Sequence, residues 1–169
     1  TGLLGISAPA SNGGGDVDDF RYNAIMIEEL ATAGATAVSM SLCGINDLIA
    51  PYLIAFGSDE QNDRWLTPLV AGEKIGAIAM TEPGTGSDLA SIATTARPDG
   101  DDFVLNGAKT FISNGLLADF VIVVARTDAD AGRDGFSLLV VEDGMPGFTR
   151  SGPLKKIGLG AQDPALGAS

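Results

Sequence analysis

The chain has 169 residues, of which 45% are hydrophobic and 19% charged, a composition typical of a folded protein with one sizeable core or two small ones. Its formal net charge of −12 disfavours sequence-independent binding to nucleic acid or anionic lipid, since both need a basic face. The absence of histidine excludes His-dependent triads and His metal ligands within these residues, and the single cysteine, Cys43, excludes an intrachain disulfide.

The sequence shows no targeting or membrane signal. Residues 1–6 lack the basic leader of a secretion signal, and no uninterrupted apolar stretch reaches the length of a membrane span. We therefore expect a cytoplasmic protein without a membrane span, or a protein of the mitochondrial matrix if it is eukaryotic and a leader has been lost.

Residues 1–72 have the apolar periodicity of helices. After a Gly-rich loop at residues 12–15, apolar side chains recur at helical spacing, and Asp18 and Asp19 suit the positive end of the first helix dipole. Pro51 is able to start a third helix, and Ser58 with Gln61 has the form of a capping box that begins a fourth. The predicted helices are residues 18–31, 37–46, 48–56 and a last one from 58 that ends near 68–72.

From Glu73 onward the apolar period drops towards two, which indicates strands. The apolar runs are linked by residues 98–101, PDGD, by Asn106-Gly107 and by Asn114-Gly115, and Asn-Gly between apolar runs predicts a hairpin turn. The predicted strands are residues 75–80, 92–97, 103–105, 109–112, 120–126 and 137–142. Short consecutive strands without intervening helices predict an antiparallel sheet, closed or sandwiched. The fold class is therefore α+β, with a helical domain at residues 1–72 and a β-domain at 73–169.

Residues 81–88, here the first loop, break away from an apolar strand. Their glycines and Ser87 allow backbone N–H groups and a hydroxyl to approach a ligand closely, and phosphates are the ligands that most need this. The alternative is a surface turn with helix-capping residues.

Residues 109–115, here the second loop, combine an aromatic ring with a hydroxyl. On a strand Phe111 and Ser113 would project to the same side, as a site for a flat heterocycle requires. The alternative is a core phenylalanine and a strand-end serine before a turn.

Taken together, these blocks resemble the acyl-CoA dehydrogenase family. Residues 80–88, MTEPGTGSD, match the family's best-known signature, and 106–115, NGAKTFISNG, follow at a suitable distance. The resemblance covers nearly the whole chain. Further blocks in the family's order are residues 3–9, 27–30, 57–61, 65–69, 72–73, 156–158 and 162–163.

The resemblance implies FAD as cofactor and an acyl-CoA thioester as substrate. It places Thr81 at the pyrimidine edge of the flavin and Ser87 at the pyrophosphate or at the CoA portion of the substrate. The family often has Trp where this chain has Phe111 and Thr where it has Ser113, and both replacements keep an aromatic face and a hydroxyl. The cofactor-binding residues that the resemblance implies are Ile78, Ala79, Met80, Thr81, Gly86, Ser87, Phe111, Ile112 and Ser113.

The family's catalytic glutamate lies in a C-terminal helical domain, and no acidic residue of this chain matches it. Glu82 belongs to the signature, and we interpret its role as structural. We therefore expect a fragment of a longer subunit that lacks its C-terminal helical domain and is inactive alone. The resemblance also implies an electron-transfer flavoprotein or similar acceptor and a homotetramer at full length.

Three other hypotheses remain open from the sequence. The chain could come from a flavin oxidase or monooxygenase of the same fold. It could come from a non-catalytic subunit that pairs with a homologous partner. It could be a standalone binding domain, which we expect to expose apolar faces.

Overall fold

The structure, a computed structural model, describes residues 2–155, 157 and 166–168. It divides into two units, Thr1–Gly76 and Ala77–Ser169. The first is built from helices and the second from strands, so the predicted α+β class is confirmed. Of the sequence blocks predicted at 156–158 and 162–163, all but Ile157 lie outside the described residues.

The helical elements of the first unit run from Ala10 to Ala71, and the first α-helix begins at Arg21, whose backbone N–H donates to Asp19 Oδ1 at 3.0 Å. The elements are a 3-10 turn at Ala10–Asn12, α1 at Arg21–Thr32, α2 at Thr36–Cys43, a π-helical segment at Gly44–Ile49, α3 at Ala50–Phe56, α4 at Asp59–Gln61, a second π-helical segment at Asn62–Leu66 and α5 at Thr67–Ala71.

The second and third predicted helices are one helix, Thr36–Phe56, so their separation in the sequence analysis is wrong. Pro51 lacks an N–H, and its ring would clash with the carbonyl of Asp47 in a regular α-helix. The π-helical segment Gly44–Ile49 directly before α3 gives a wider turn, which accommodates the proline without ending the helix.

A polar side chain in this helix holds the N-terminal loop of the same unit. Asn46 is 2% exposed. Its Oδ1 accepts the N–H of Gly5, and its Nδ2 donates to the carbonyl of Leu3, both at 2.8 Å. Both ends of the amide are therefore satisfied inside the unit, as a buried polar group requires.

Thr36–Phe56 is also the one helix among the described residues that is long and apolar enough to cross a membrane, with a hydropathy of 1.4 in its most apolar window. Length and composition alone define this candidate, and core helices have the same properties. Asn46 and Asp47 lie in its middle, so it is not the uninterrupted apolar stretch that the sequence analysis considered.

The capping box predicted at Ser58 is confirmed. Ser58 Oγ accepts the N–H of Gln61 at 3.2 Å, and Gln61 Oε1 accepts the N–H of Ser58 at 2.9 Å. Two of the N–H groups at the start of this helix are thereby satisfied, which stabilises it.

Replacing Ser58 with alanine removes one of these two bonds, and we expect the free energy of unfolding to fall by about 1 kcal/mol. Urea unfolding followed by circular dichroism measures this. Ser7→Ala is the matched control, since the exposed Ser7 forms no hydrogen bond to any described residue. Equal values for the two variants would contradict the prediction.

The described residues form seven strands, all of which lie in the second unit except for Gly76 at the start of the first. They are β1 at Gly76–Ala79, β2 at Thr95–Asp99, β3 at Asp102–Lys109, β4 at Phe120–Arg126, β5 at Phe136–Glu142, β6 at Thr149–Arg150 and β7 at Leu166–Ala168.

The strand order is β1-β4-β2-β3-β7-β6, and β5 also pairs with β4. The pairs β2–β3, β3–β7, β4–β5 and β6–β7 are antiparallel, as predicted. β2 and β4 meet in parallel at a single pair, Thr95 and Arg126. The buried apolar core of the sheet consists of Ala77, Ala79, Ile112, Ala118, Val121, Val123 and Leu166.

The hairpin predicted at Asn106-Gly107 is wrong, because β3 runs through both residues without a turn. The β2–β3 turn lies at Gly100, where φ is +64°, within the link predicted at residues 98–101. Gly107 lies close to Thr94, and a side chain there would clash. A Cβ at Gly107 would lie 2.3 Å from Thr94 Oγ1 and 2.8 Å from Thr94 Cα. Glycine at this position therefore reflects tight packing against the segment before β2.

Candidate functional site

The two predicted loops lie against each other. The first loop follows β1, and the second continues from the last residue of β3. The backbone N–H of Thr110 donates to the carbonyl of Thr81 at 2.9 Å. The structure thus brings together two segments that are about thirty residues apart in the chain.

A buried ion pair joins the same two loops. Lys109 Nζ lies 2.9 Å from Glu82 Oε1, and the two side chains are 4% and 6% exposed. Lys109 Nζ also donates to the carbonyl of Met80 at 2.9 Å. One ammonium group therefore holds the first loop at both sides of Thr81.

The Glu82 carboxylate also binds the segment before β2. Its Oε2 accepts the N–H of Ala93 at 2.7 Å. Its Oε1 accepts the N–H of Thr94 at 2.9 Å and the Thr94 hydroxyl at 2.5 Å. With Lys109, the carboxylate accepts four hydrogen bonds, which compensates for its removal from water.

These contacts determine the protonation of Glu82. Burial raises the pKa of its carboxyl group, but hydrogen bonds from Thr94, Ala93 and Lys109 outweigh burial and lower the pKa from 4.5 to about 2. Burial lowers the pKa of Lys109, and the nearby Glu82 carboxylate opposes that shift. Glu82 is thus ionised at neutral pH, in keeping with its interpretation as a structural residue.

The first loop is a turn with further internal bonds. The backbones of Glu82 and Thr85 exchange two hydrogen bonds, of 2.9 and 3.1 Å. Asp88 then accepts from the Thr85 hydroxyl through its carbonyl and from the Ser91 hydroxyl through Oδ2, both at 2.5 Å. These bonds fix a loop that contains two glycines.

The 3-10 turn that directly follows the first loop, Leu89–Ser91, is bound to β4. Arg126 donates to the carbonyl of Ala90 at 2.8 Å, and its guanidinium lies 4.3 Å from the centre of the Phe136 ring. Between the two held ends, Gly86 and Ser87 are exposed. Within the described residues, no hydrogen bond involves their backbone N–H groups or the Ser87 hydroxyl. These donors face solvent and are available to a ligand.

The second loop differs from the prediction. Residues 109–112 do not form a separate strand: Lys109 ends β3, and Phe111 has a left-handed backbone with φ +57°. Ile112 is 2% exposed in the core, whereas Phe111 is 60% exposed and Ser113 is also exposed. A buried isoleucine between two exposed side chains, rather than strand alternation, directs Phe111 and Ser113 outward.

The remaining predicted residues lie on β1 and the start of the first loop. Ala79 is fully buried in the core, so like Ile112 it offers a ligand only backbone atoms. Ile78, Met80 and Thr81 are half-buried.

Sequence reasoning missed the partner of Lys109. Lys109 lies in an apolar strand, and the one indication of its partner in the sequence was the carboxylate of Glu82 in the preceding motif. Only the pairing of the two loops connects these residues, which are 27 positions apart.

A helical unit followed by a sheet whose loops present an aromatic ring and hydroxyls is the arrangement that the sequence motifs predicted. Two family models match: the acyl-CoA dehydrogenase N-terminal domain over residues 1–73 and the acyl-CoA dehydrogenase middle domain over residues 77–165. The chain therefore belongs to the acyl-CoA dehydrogenase family.

Individual proteins agree with this assignment. The long-chain specific mitochondrial acyl-CoA dehydrogenase of Sus scrofa is 48% identical over 97% of this chain, which spans 38% of that protein. A crystal structure of acyl-CoA dehydrogenase from Geobacillus kaustophilus is 46% identical, with a TM-score of 0.87 over 99% of this chain and 44% of the other. A structure described as the FAD complex of PigA is 33% identical, with a TM-score of 0.92 at the same coverage.

Proposed function

We propose that this chain is the flavin-binding part of an FAD-dependent acyl-CoA dehydrogenase, which introduces an α,β double bond into an acyl-CoA thioester. The observation that carries the proposal is the joining of the two loops by Thr110, Lys109 and Glu82. This joining presents Phe111 and Thr81 on adjoining segments of one unit. Family membership gives that arrangement its chemical interpretation.

The exposed groups fit FAD. Phe111 offers an exposed ring to a planar heterocycle, and the hydroxyls of Thr81 and Ser113 offer hydrogen bonds to its edges. The backbone N–H groups of Gly86 and Ser87 are available for phosphate oxygens.

We assign roles to these residues on that basis. Thr81 binds the pyrimidine edge of the flavin, Phe111 packs on the ring system, and the Ser113 hydroxyl is directed to N5. Gly86 and Ser87 bind the pyrophosphate, and Ser87 also serves the CoA portion of the substrate. Bound FAD supplies the hydride acceptor, while the protein holds and orients the reactants.

The catalytic base is proposed to lie outside this chain. Glu82 is unsuited to the role because four hydrogen bonds occupy its carboxylate, and a pKa of about 2 makes it a weak base. We propose that the full-length subunit supplies a glutamate from a C-terminal helical domain. It would assemble as a homotetramer and pass electrons to an electron-transfer flavoprotein or a similar acceptor in the cytoplasm or mitochondrial matrix.

The activity is tested with the protein at its full natural length. We expect reduction of an artificial electron acceptor in the presence of acyl-CoA thioesters, with formation of the enoyl-CoA product. Turnover with oxygen consumption and no need for an acceptor would instead indicate a flavin oxidase of the same fold. Flavin-free protein without turnover would contradict the proposal.

The role of Phe111 is tested by Phe111→Leu, which keeps an apolar side chain but removes the ring. We expect the dissociation constant for FAD to rise about fivefold, since aromatic stacking contributes roughly 1 kcal/mol. Phe103→Leu is the matched control, because Phe103 is 49% exposed on β3 and lies in neither loop. Equal FAD affinity of the two variants would contradict the assigned role.

A further inference from the structure

We propose that Glu82 and Lys109 form a positioning pair, which fixes the two loops at the separation that FAD binding requires. This inference rests on the proposed function, because it concerns residues that act through Thr81 and Phe111. Neither Glu82 nor Lys109 is proposed to touch the cofactor.

The pair connects separate segments of the second unit. Glu82 binds Ala93 and Thr94 at the start of β2, and Lys109 at the end of β3 binds both Glu82 and Met80. Three separate segments of the second unit therefore meet at one carboxylate and one ammonium group. Each has its partners within 2.5–2.9 Å.

The proposed cofactor contacts lie on both sides of this junction. Thr81 lies between Met80 and Glu82, which are both bound to Lys109. Phe111 lies two residues after Lys109, beyond the backbone bond from Thr110 to Thr81. Movement of Lys109 relative to Glu82 would therefore change the distance between Thr81 and Phe111.

Apart from the β3–β7 ladder, in which Lys109 is opposite Leu166, the sheet does not depend on the pair. The β4–β5 ladder has seven residue pairs and β2–β3 has five, and none includes Glu82 or Lys109. Loss of the pair is thus expected to release the loops while these ladders persist. A purely structural pair would lower stability without changing the FAD affinity of the folded protein.

The test compares full-length wild type with Lys109→Met, which keeps an unbranched side chain but removes the charge. We expect the FAD dissociation constant of the folded variant to rise about tenfold. We also expect the visible circular dichroism of its bound flavin to change. Ile122→Ala is the control for lost stability, since Ile122 is buried on β4 but does not belong to the core cluster that contains Ala79 and Ile112.

Unchanged FAD affinity and flavin spectrum in Lys109→Met would overturn the positioning pair, and so would equal weakening in Ile122→Ala. If Lys109→Met does not fold, Thr94→Val provides the comparison. It removes the hydroxyl bond to Glu82 and keeps both charges, so a rise of about threefold is expected and no rise would overturn the proposal. A wild-type protein that binds no FAD contradicts the proposed function instead.

Discussion

Glu82→Gln is expected to lower the free energy of unfolding by about 3–5 kcal/mol at neutral pH, the largest effect of any substitution considered. The amide loses the charge that balances buried Lys109, and it turns an NH2 group towards N–H donors that now bind an oxygen. Removing one member of a buried pair leaves the other charge without compensation. Urea unfolding of wild type and variant measures the difference.

Asp143→Asn is the matched control, because Asp143 pairs with Arg150 at the surface and its side chain is 62% exposed. Its effect should be clearly smaller, since solvent screens exposed pairs. The double variant Glu82→Gln/Lys109→Met should lose less stability than the sum of the two single variants. Strict additivity would contradict the coupling of Glu82 with Lys109.

The same carboxylate gives a pH dependence of known sign. The folded-state pKa of Glu82 is lowered from 4.5 to about 2, so its stabilising contribution is complete above pH 4.5 and is lost as the pH falls towards 2. The stability difference between wild type and Glu82→Gln should therefore shrink over that range. A constant difference from neutral pH to about pH 3 would contradict the lowered pKa.

Gly107→Ala is expected to lower the free energy of unfolding by about 1–3 kcal/mol, because the new methyl group overpacks a tight contact. The added Cβ would lie 2.3 Å from Thr94 Oγ1, 2.7 Å from Thr94 Cβ and 2.8 Å from Thr94 Cα. The last of these atoms is backbone, so a side-chain rotation does not relieve the clash. Thr94 must move, and its bonds to Glu82 weaken with it.

Gly152→Ala is the control for this change, because a Cβ at Gly152 meets no atom within 4 Å. Its stability should be unchanged or slightly raised, since alanine restricts the unfolded chain. Urea unfolding of both variants is the measurement. A Gly107→Ala protein as stable as Gly152→Ala would show that the approach of β3 to Thr94 is looser than the structure indicates.

Local patterns were sufficient for part of the fold. Apolar runs placed β4 at Phe120–Arg126, and the spacing of Ser58 and Gln61 identified the start of α4. Both signals lie within a few neighbouring residues, so they do not depend on the rest of the chain. The family resemblance rests likewise on short contiguous motifs.

Local sequence patterns gave wrong predictions where residues far apart in the chain determine the structure. Asn-Gly is a strong turn signal, yet Gly107 lies within β3, and Thr94 leaves no room for a Cβ there. The helix through Pro51 continues because the segment before it is π-helical, which no local propensity predicts. The left-handed backbone of Phe111 follows from the burial of Ile112 in a core that the whole sheet builds.

The candidate site, like the fold, was predicted only in part by local motifs. The motifs predicted which residues would contact FAD, and the exposed positions of Phe111, Ser113 and Ser87 agree with that proposal. The groups that hold those residues in place were not apparent. The contact between Glu82 and Lys109 is apparent only in the structure, where the two loops pair.

The most direct test of the proposed flavin site is the visible absorption spectrum of the full-length protein, purified without added flavin. It is recorded before and after anaerobic addition of an acyl-CoA. We expect the absorption of bound FAD, followed by its bleaching as the substrate is oxidised. A colourless protein that takes up no FAD, or bound flavin that no acyl-CoA bleaches, would contradict the account.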